Sequence, residues 1–204
     1  MAKLDHLMYA VADLELGMQH IFELTGVAPV MGGAHPGMGT RNALLSFGED
    51  QYLEIIAPDP EQHLPGTTGE LLARHAQPGI RAWAVAVEDL VAVREEAATL
   101  RIGSRDIVDM ARTTPAGIEL AWQLLFLAHP QWPFFIDWQE SPHPSAAAPT
   151  GCSLAEFVVS TPEPAKYRAL MQALCIDVEV EAGEMGFVAT LQTPKGAVKL
   201  PSWH

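Results

Sequence analysis

The stretch that decides the fold is Leu4-Asp5-His6-Leu7-Met8-Tyr9-Ala10-Val11-Ala12-Asp13-Leu14, because it recurs in pattern as Ile80-Arg81-Ala82-Trp83-Ala84-Val85-Ala86-Val87-Glu88-Asp89-Leu90. In both copies an apolar strand runs into an acidic residue suited to cap a helix, then a leucine. Working outward from the first copy, Leu14, Met18, Ile21, Phe22 and Leu24 fall at helical spacing and Gly26 stops the helix. Three strands should follow, at Val27–Met31, Arg41–Phe47 and Gln51–Ala57, with Gly48-Glu49-Asp50 as a turn. The second copy repeats the order. Its strand is Ile80–Val87 and its helix Leu90–Leu100, and its further strands are Arg105–Ala111, Ile118–Phe126 and Pro133–Trp138.

A third, shorter unit has the same order: a strand at Leu154–Ser160, a helix at Pro162–Leu174, then strands at Asp177–Glu181, Phe187–Gln192 and Ala197–Leu200. Residues 58–78 and 139–150 read as linkers, which puts a domain at 1–145, with modules at 3–58 and 80–138, and the third module at 151–204. The expected fold class is α+β, built from tandem βαβββ modules.

Composition narrows the function. The chain has 204 residues, 49% hydrophobic, enough for a substantial core. Its formal charge of −13, from 12 basic against 25 acidic residues, repels phosphate backbones, so nucleic acid is not an expected partner. Cys152 and Cys175 lie at no metal-like spacing, and two free thiols suit a reducing compartment better than a secreted disulfide scaffold; the start of the chain lacks the basic and apolar runs of a leader. No apolar run reaches the roughly 18 residues of a membrane span, so a cytoplasmic protein without membrane contact is expected.

Several further motifs carry a resemblance. They are Gly33-Ala34-His35-Pro36-Gly37-Met38-Gly39-Thr40-Arg41-Asn42-Ala43-Leu44-Leu45-Ser46, Tyr52-Leu53-Glu54-Ile55-Ile56-Ala57-Pro58, Arg112-Thr113, Trp122-Gln123-Leu124-Leu125-Phe126 and Pro133-Phe134-Phe135-Ile136-Asp137-Trp138. Together with Leu4-Asp5-His6-Leu7, they resemble the glyoxalase-like group of the vicinal oxygen chelate superfamily over about residues 3–145. The resemblance implies paired modules whose mixed sheet curls around a cup-shaped site, with helices outside. In metal-dependent members of that superfamily, the first and last strands of each module supply the ligands, typically a histidine and a glutamate.

Strand alternation puts His6, Met8 and Ala10 on one face, and groups Tyr52, Glu54 and Ile56 in the same way. If the helix covers Leu7 and Leu53, His6 and Glu54 both look into the cup. They would then hold a divalent ion (Zn, Fe, Mn or Ni) or pair with each other. The second module offers only Ala82 and Ile136 at the matching places, or Asp137 after a one-residue slip, and the third offers Glu156 and Lys199. The candidate metal set is therefore His6, Glu54 and Asp137, with His35 as another possible third ligand, and no organic cofactor is expected.

The segment Gly32–Thr40, with four glycines and one proline in nine residues, reads as a loop. It lacks the lysine and helix entry of a phosphate-binding loop. His35, Arg41 and Asn42 at its junction, with Gln123 and Trp138, are candidate substrate contacts, and Trp83 and Trp132 are candidates for an aromatic wall. Glu54 and Glu119 are candidate proton-transfer groups, on the expectation that the apolar side of 118–126 meets a helix and leaves Glu119 and Gln123 in the cup. Two functions remain open: a divalent-metal-dependent lyase, isomerase or dioxygenase acting on a small oxygen-bearing molecule, and a metal-free protein that binds or sequesters a small molecule. The odd third module leaves an open sheet edge to be covered, by its own chain or by a second copy; a symmetric homodimer is the simplest expectation.

Overall fold

The computed structural model describes residues 2–74 and 77–203. The first module is β1 (Lys3–Ala10), α1 (Leu14–Thr25), β2 (Val30–His35), β3 (Thr40–Gly48) and β4 (Gln51–Pro58), followed by a short α2 (Thr68–Ala73). The second is β5 (Gly79–Ala86), α3 (Leu90–Thr99), β6 (Val108–Thr113), β7 (Glu119–Phe126) and β8 (Phe134–Asp137). After a 3-10 turn at Pro144–Ala147 comes β9 (Ser153–Thr161), α4 (Pro164–Ala173), β10 (Glu179–Ala182), β11 (Gly186–Thr193) and β12 (Gly196–Leu200). The repeated acidic residues cap as the sequence suggests: Asp13 accepts from Leu16 N at 2.9 Å, and Asp89 from Ala92 N at 2.9 Å. No helix among the described residues is long and apolar enough to cross a membrane.

The fold is a mixed α+β architecture. Eight strands form one sheet in the order β2-β3-β4-β1-β5-β8-β7-β6, and four form another in the order β10-β9-β11-β12. The first and second modules meet where β1 pairs antiparallel with β5, at the centre of the large sheet. That sheet curls until its edge strands approach, and the Arg112 guanidinium on β6 donates to the Gly32 carbonyl on β2 across the seam. Gly33 sits here at φ +138°; a Cβ on it would lie 3.1 Å from the Thr113 carbonyl oxygen, so the close approach requires glycine. The strand glycines thus belong to β2 rather than to a loop, and only Pro36–Gly39 forms the turn.

Alternation then sorts the side chains. Leu7, Tyr9, Leu53, Ile55, Trp83, Val85, Leu125 and Phe135 go to the helix side, into one core shared with Phe157, Tyr167 and Phe187 of the third module. The third module therefore buries its apolar face on its own chain. The Trp83 indole N–H donates to the Tyr167 hydroxyl at 3.2 Å, and that hydroxyl donates to the Gln131 carbonyl at 3.1 Å. The face of the third module's sheet is covered within one chain, while β10 and β12 stand at that sheet's edges.

Each module's first strand carries the same irregularity. Between the pairs Leu4↔Val85 and His6↔Ala84, Asp5 has no partner; between Met8↔Ala82 and Tyr9↔Ile80, Arg81 has none; between Leu191↔Leu154 and Thr190↔Glu156, Ala155 has none. These are β-bulges at matching places, and a bulge re-aims the side chain that it inserts.

Candidate active site

Inside the curl lies a cavity of about 130 Å³. His6, His35, Asn42, Glu54 and Arg112 supply its polar wall, and Met8, Trp122, Leu124, Phe134, Ile136 and Trp138 much of its apolar one. Its organising residue is Asp5, fully buried and turned inward by its bulge. Asp5 accepts from His6 Nδ1 at 2.5 Å, His143 Nε2 at 3.0 Å and the Trp138 indole N–H at 2.9 Å. Burial pushes its carboxyl up, but the hydrogen bonds from His143 and His6 outweigh burial and hold it well below the usual carboxylate range. An ionised carboxylate only accepts, so His6 carries its proton on Nδ1. The His6 Nε2 lone pair is thereby left facing the cup, 3.6 Å from Glu54 Oε2, with the ring stacked on Tyr52 at 4.6 Å.

Glu54 reaches the cup from β4, two pairs along from His6↔Tyr52 in the parallel β1–β4 ladder, where it pairs with Met8 and so shares the inward face. Its Oε1 accepts from Asn42 Nδ2 at 2.7 Å, and the same amide nitrogen lies 3.2 Å from His35 Nε2. With Nε2 accepting, His35 donates from Nδ1 to Thr40 Oγ1 at 3.0 Å. Burial lowers the His35 pKa, and the attraction of Glu54 does not reverse this, so the imidazole stays neutral near pH 7. Asn42 thus fixes Glu54 Oε1 and leaves Oε2 to the cup.

The structure brings together His6, His35, Asn42, Glu54 and Trp138 but not the other expected residues. Arg41 falls on the opposite face of β3 from Asn42 and pairs with Glu15 of α1 at 2.8 Å. Asp137 follows Ile136 on β8 and faces away from the cup, where it accepts from Gln139 N at 2.8 Å. Glu119 is exposed, and Gln123 donates to Asp109 outside the cup at 2.8 Å. The expectation for β7 is inverted because its apolar side, Trp122, Leu124 and Phe126, lines the cup, where Trp122 and Leu124 are buried against Phe134 and Ile136. On the other side only Leu125 reaches the helix-side core. Trp83 lies in that core rather than in the cup wall. Sequence reasoning missed Asp5, Tyr52 and His143. Tyr52 shares the parity of Glu54 and was readable, whereas Asp5 depends on the bulge and His143 on a linker fold.

His6 Nε2 and Glu54 Oε2 are suited to a cation in two respects. Their separation of 3.6 Å is close to the edge of about 3.4 Å between neighbouring ligands on a tetrahedral ion with bonds near 2.1 Å. Moreover, Asp5 behind His6 is the kind of carboxylate that orients a metal-binding imidazole. His35 Nε2, 3.6 Å from Glu54 Oε1, becomes a third donor only by giving up its Asn42 hydrogen bond. Among the described residues no group of three or more His, Cys, Asp or Glu is already placed to hold a metal ion.

Comparison with known proteins places the chain. The family profile described as glyoxalase-like domain matches residues 4–175. A crystal structure of a hypothetical protein from Staphylococcus aureus is similar at TM-score 0.67 and 17% identity, over 100% of this chain and 89% of that one. A hypothetical protein from Bacillus halodurans C-125 is similar at TM-score 0.50 and 17% identity, over 69% and 97%. Methylmalonyl-CoA epimerase from Mycobacterium tuberculosis gives TM-score 0.48 and 24% identity, over 70% and 91%. No curated protein matches.

Proposed function

The chain belongs to the glyoxalase-like domain family, and from that premise we propose that it is a divalent-metal-dependent enzyme of the isomerase, lyase or dioxygenase type, acting on a small oxygen-bearing substrate in the cup. The observation that carries this reading is the line Asp5–His6–Glu54, in which an anchored imidazole presents a lone pair to a carboxylate oxygen 3.6 Å away. His6 Nε2 and Glu54 Oε2 would hold the ion, and His35 is the candidate third ligand. Bound there, a divalent ion supplies Lewis-acid stabilisation of a developing oxyanion. The chain does the rest. Asp5 keeps His6 in one tautomer, Asn42 holds Glu54, and Trp122, Phe134 and Trp138 keep water away from the reacting atoms.

The test is metal content and metal affinity of the purified protein and of His6→Ala and Glu54→Ala. Both variants are expected to lose at least about tenfold in affinity. Unchanged binding in both ends the proposal.

A second reading, a metal-free protein that binds or sequesters a small molecule, draws support from Ala82 and Ile136, which offer no donor where the second module could complete a set. Thermal stabilisation by small-molecule ligands that persists unchanged in a chelator favours this reading.

A further inference from the structure

We infer that the cup is shaped for an organic acid, whose anionic group seats on Arg81 at the neck between the inner cavity and a larger outer chamber. The inference rests on the reading of the cup as a small-molecule site and is independent of any metal.

Position is the first ground. Counting back from Trp83 in the core and Ala82 toward the cup, plain alternation would send Arg81 into the helix-side core beside Trp83. The bulge prevents this: Arg81 is the residue without a partner, Ile80 takes the core place, and Arg81 turns to the cup side. Its counterpart in the first module is Asp5, which organises the proposed centre. The second module uses the same backbone device to present a cation.

Charge is the second ground. Among the described residues the Arg81 side chain makes no ion pair or hydrogen bond; its contact is the indole of Trp203, 5.5 Å from the guanidinium carbon. Desolvation alone lowers its pKa, with no charged group acting against it. A half-buried guanidinium without an anion is costly, the more notable in a chain of net charge −13, and an incoming anion would remove the cost. Arg112, deeper in the cup, is already engaged by the Gly32 carbonyl and feels Glu54.

Space is the third. The inner cavity of about 130 Å³ is smaller than the roughly 300–1,000 Å³ of sites for drug-sized ligands, so it admits a head group. Beside it lies a chamber of about 730 Å³, and Met8, Met38, Thr68, Arg81, Phe126 and Phe134 line both. Trp132, Met185, Phe187 and Trp203 give the chamber its apolar wall, so the third module and the chain's end build the place for a ligand's body. An acid of this kind would put its reactive end in the cup, its anion on Arg81 and its apolar part against these residues.

The experiment measures Kd by calorimetry for matched acids and amides: hexanoate and hexanamide, octanoate and octanamide, 3-phenylpropanoate and 3-phenylpropanamide. At least one acid is expected to bind about tenfold or more tightly than its amide, with the preference falling between about 50 and about 500 mM salt. Arg81→Gln should abolish the preference and Arg81→Lys should keep part of it. Arg105→Gln, on the outer chamber, should leave most of it. If no acid outbinds its amide, or the preference survives Arg81→Gln, or Arg105→Gln removes it, the inference is overturned. Should Arg81→Gln not fold by circular dichroism, the salt series on the native protein and Arg81→Lys carry the same decision. The preference is expected to persist in a chelator, so failure of the metal proposal and failure of this one are distinguishable.

Discussion

Asp5 is the residue with the widest reach, since one buried carboxylate fixes His6, His143 and Trp138 together. Asp5→Asn keeps the shape but turns an acceptor into a donor against N–H groups, and should cost about 2–3 kcal/mol at neutral pH. Because the folded protein holds this carboxyl below its ordinary value of 3.8, the stabilisation is fully present above that value and is lost as pH falls beneath it. Urea melts of native and Asp5→Asn protein should therefore differ most at about pH 7, and the gap should begin to narrow only once pH falls below the ordinary value of 3.8. A gap that widens on acidification would contradict the role given to Asp5. The site's residues were only partly legible: His6 and Glu54 follow from strand parity, but Asp5 comes to lie behind His6, and Arg81 on the cup, because of register shifts between strands that no single strand encodes visibly.

At the scale of elements, parity says which side chains share a face but not which face meets which layer. In β7 the apolar face lines the cup and the mixed face carries Glu119 and Gln123 outward. The short α2 was equally hidden. It lies in a stretch that reads as linker, and it exists because Leu72 is fully buried with Ala10 and Ile56 and because Gly69 docks on the turn before β3. Gly69 N donates to the Met38 carbonyl at 3.1 Å, and a Cβ on Gly69 would lie 1.8 Å from the Gly39 carbonyl oxygen. Gly69→Ala must displace α2, with an expected loss of about 1–3 kcal/mol and faster amide exchange in 68–73. Native-like exchange there would show that α2 is not held by this contact.

For the whole molecule, the third module matters through a shared core rather than as an appendage. Tyr167 links α4 to Trp83 of the central β5 and to the Gln131 carbonyl in the outer chamber's wall. Tyr167→Phe leaves that carbonyl without its donor and the indole without its acceptor, an expected loss of about 1–3 kcal/mol by denaturant melts. A double-mutant cycle with Trp83→Phe should show coupling above about 0.5 kcal/mol; additivity would mean that the two modules are joined by apolar contact alone.

By itself the sequence determined the modules, because a repeated period of apolar strand, acidic cap and amphipathic helix is a local property written in each segment. It also determined that His6 and Glu54 share the parity of an inward face. Tertiary structure alone decided which faces became core and which became cup, where the third module lies, and which charges enter the site. Those outcomes depend on how curled layers meet and on bulges set by strand pairing, and they are properties of contacts between segments far apart in the chain.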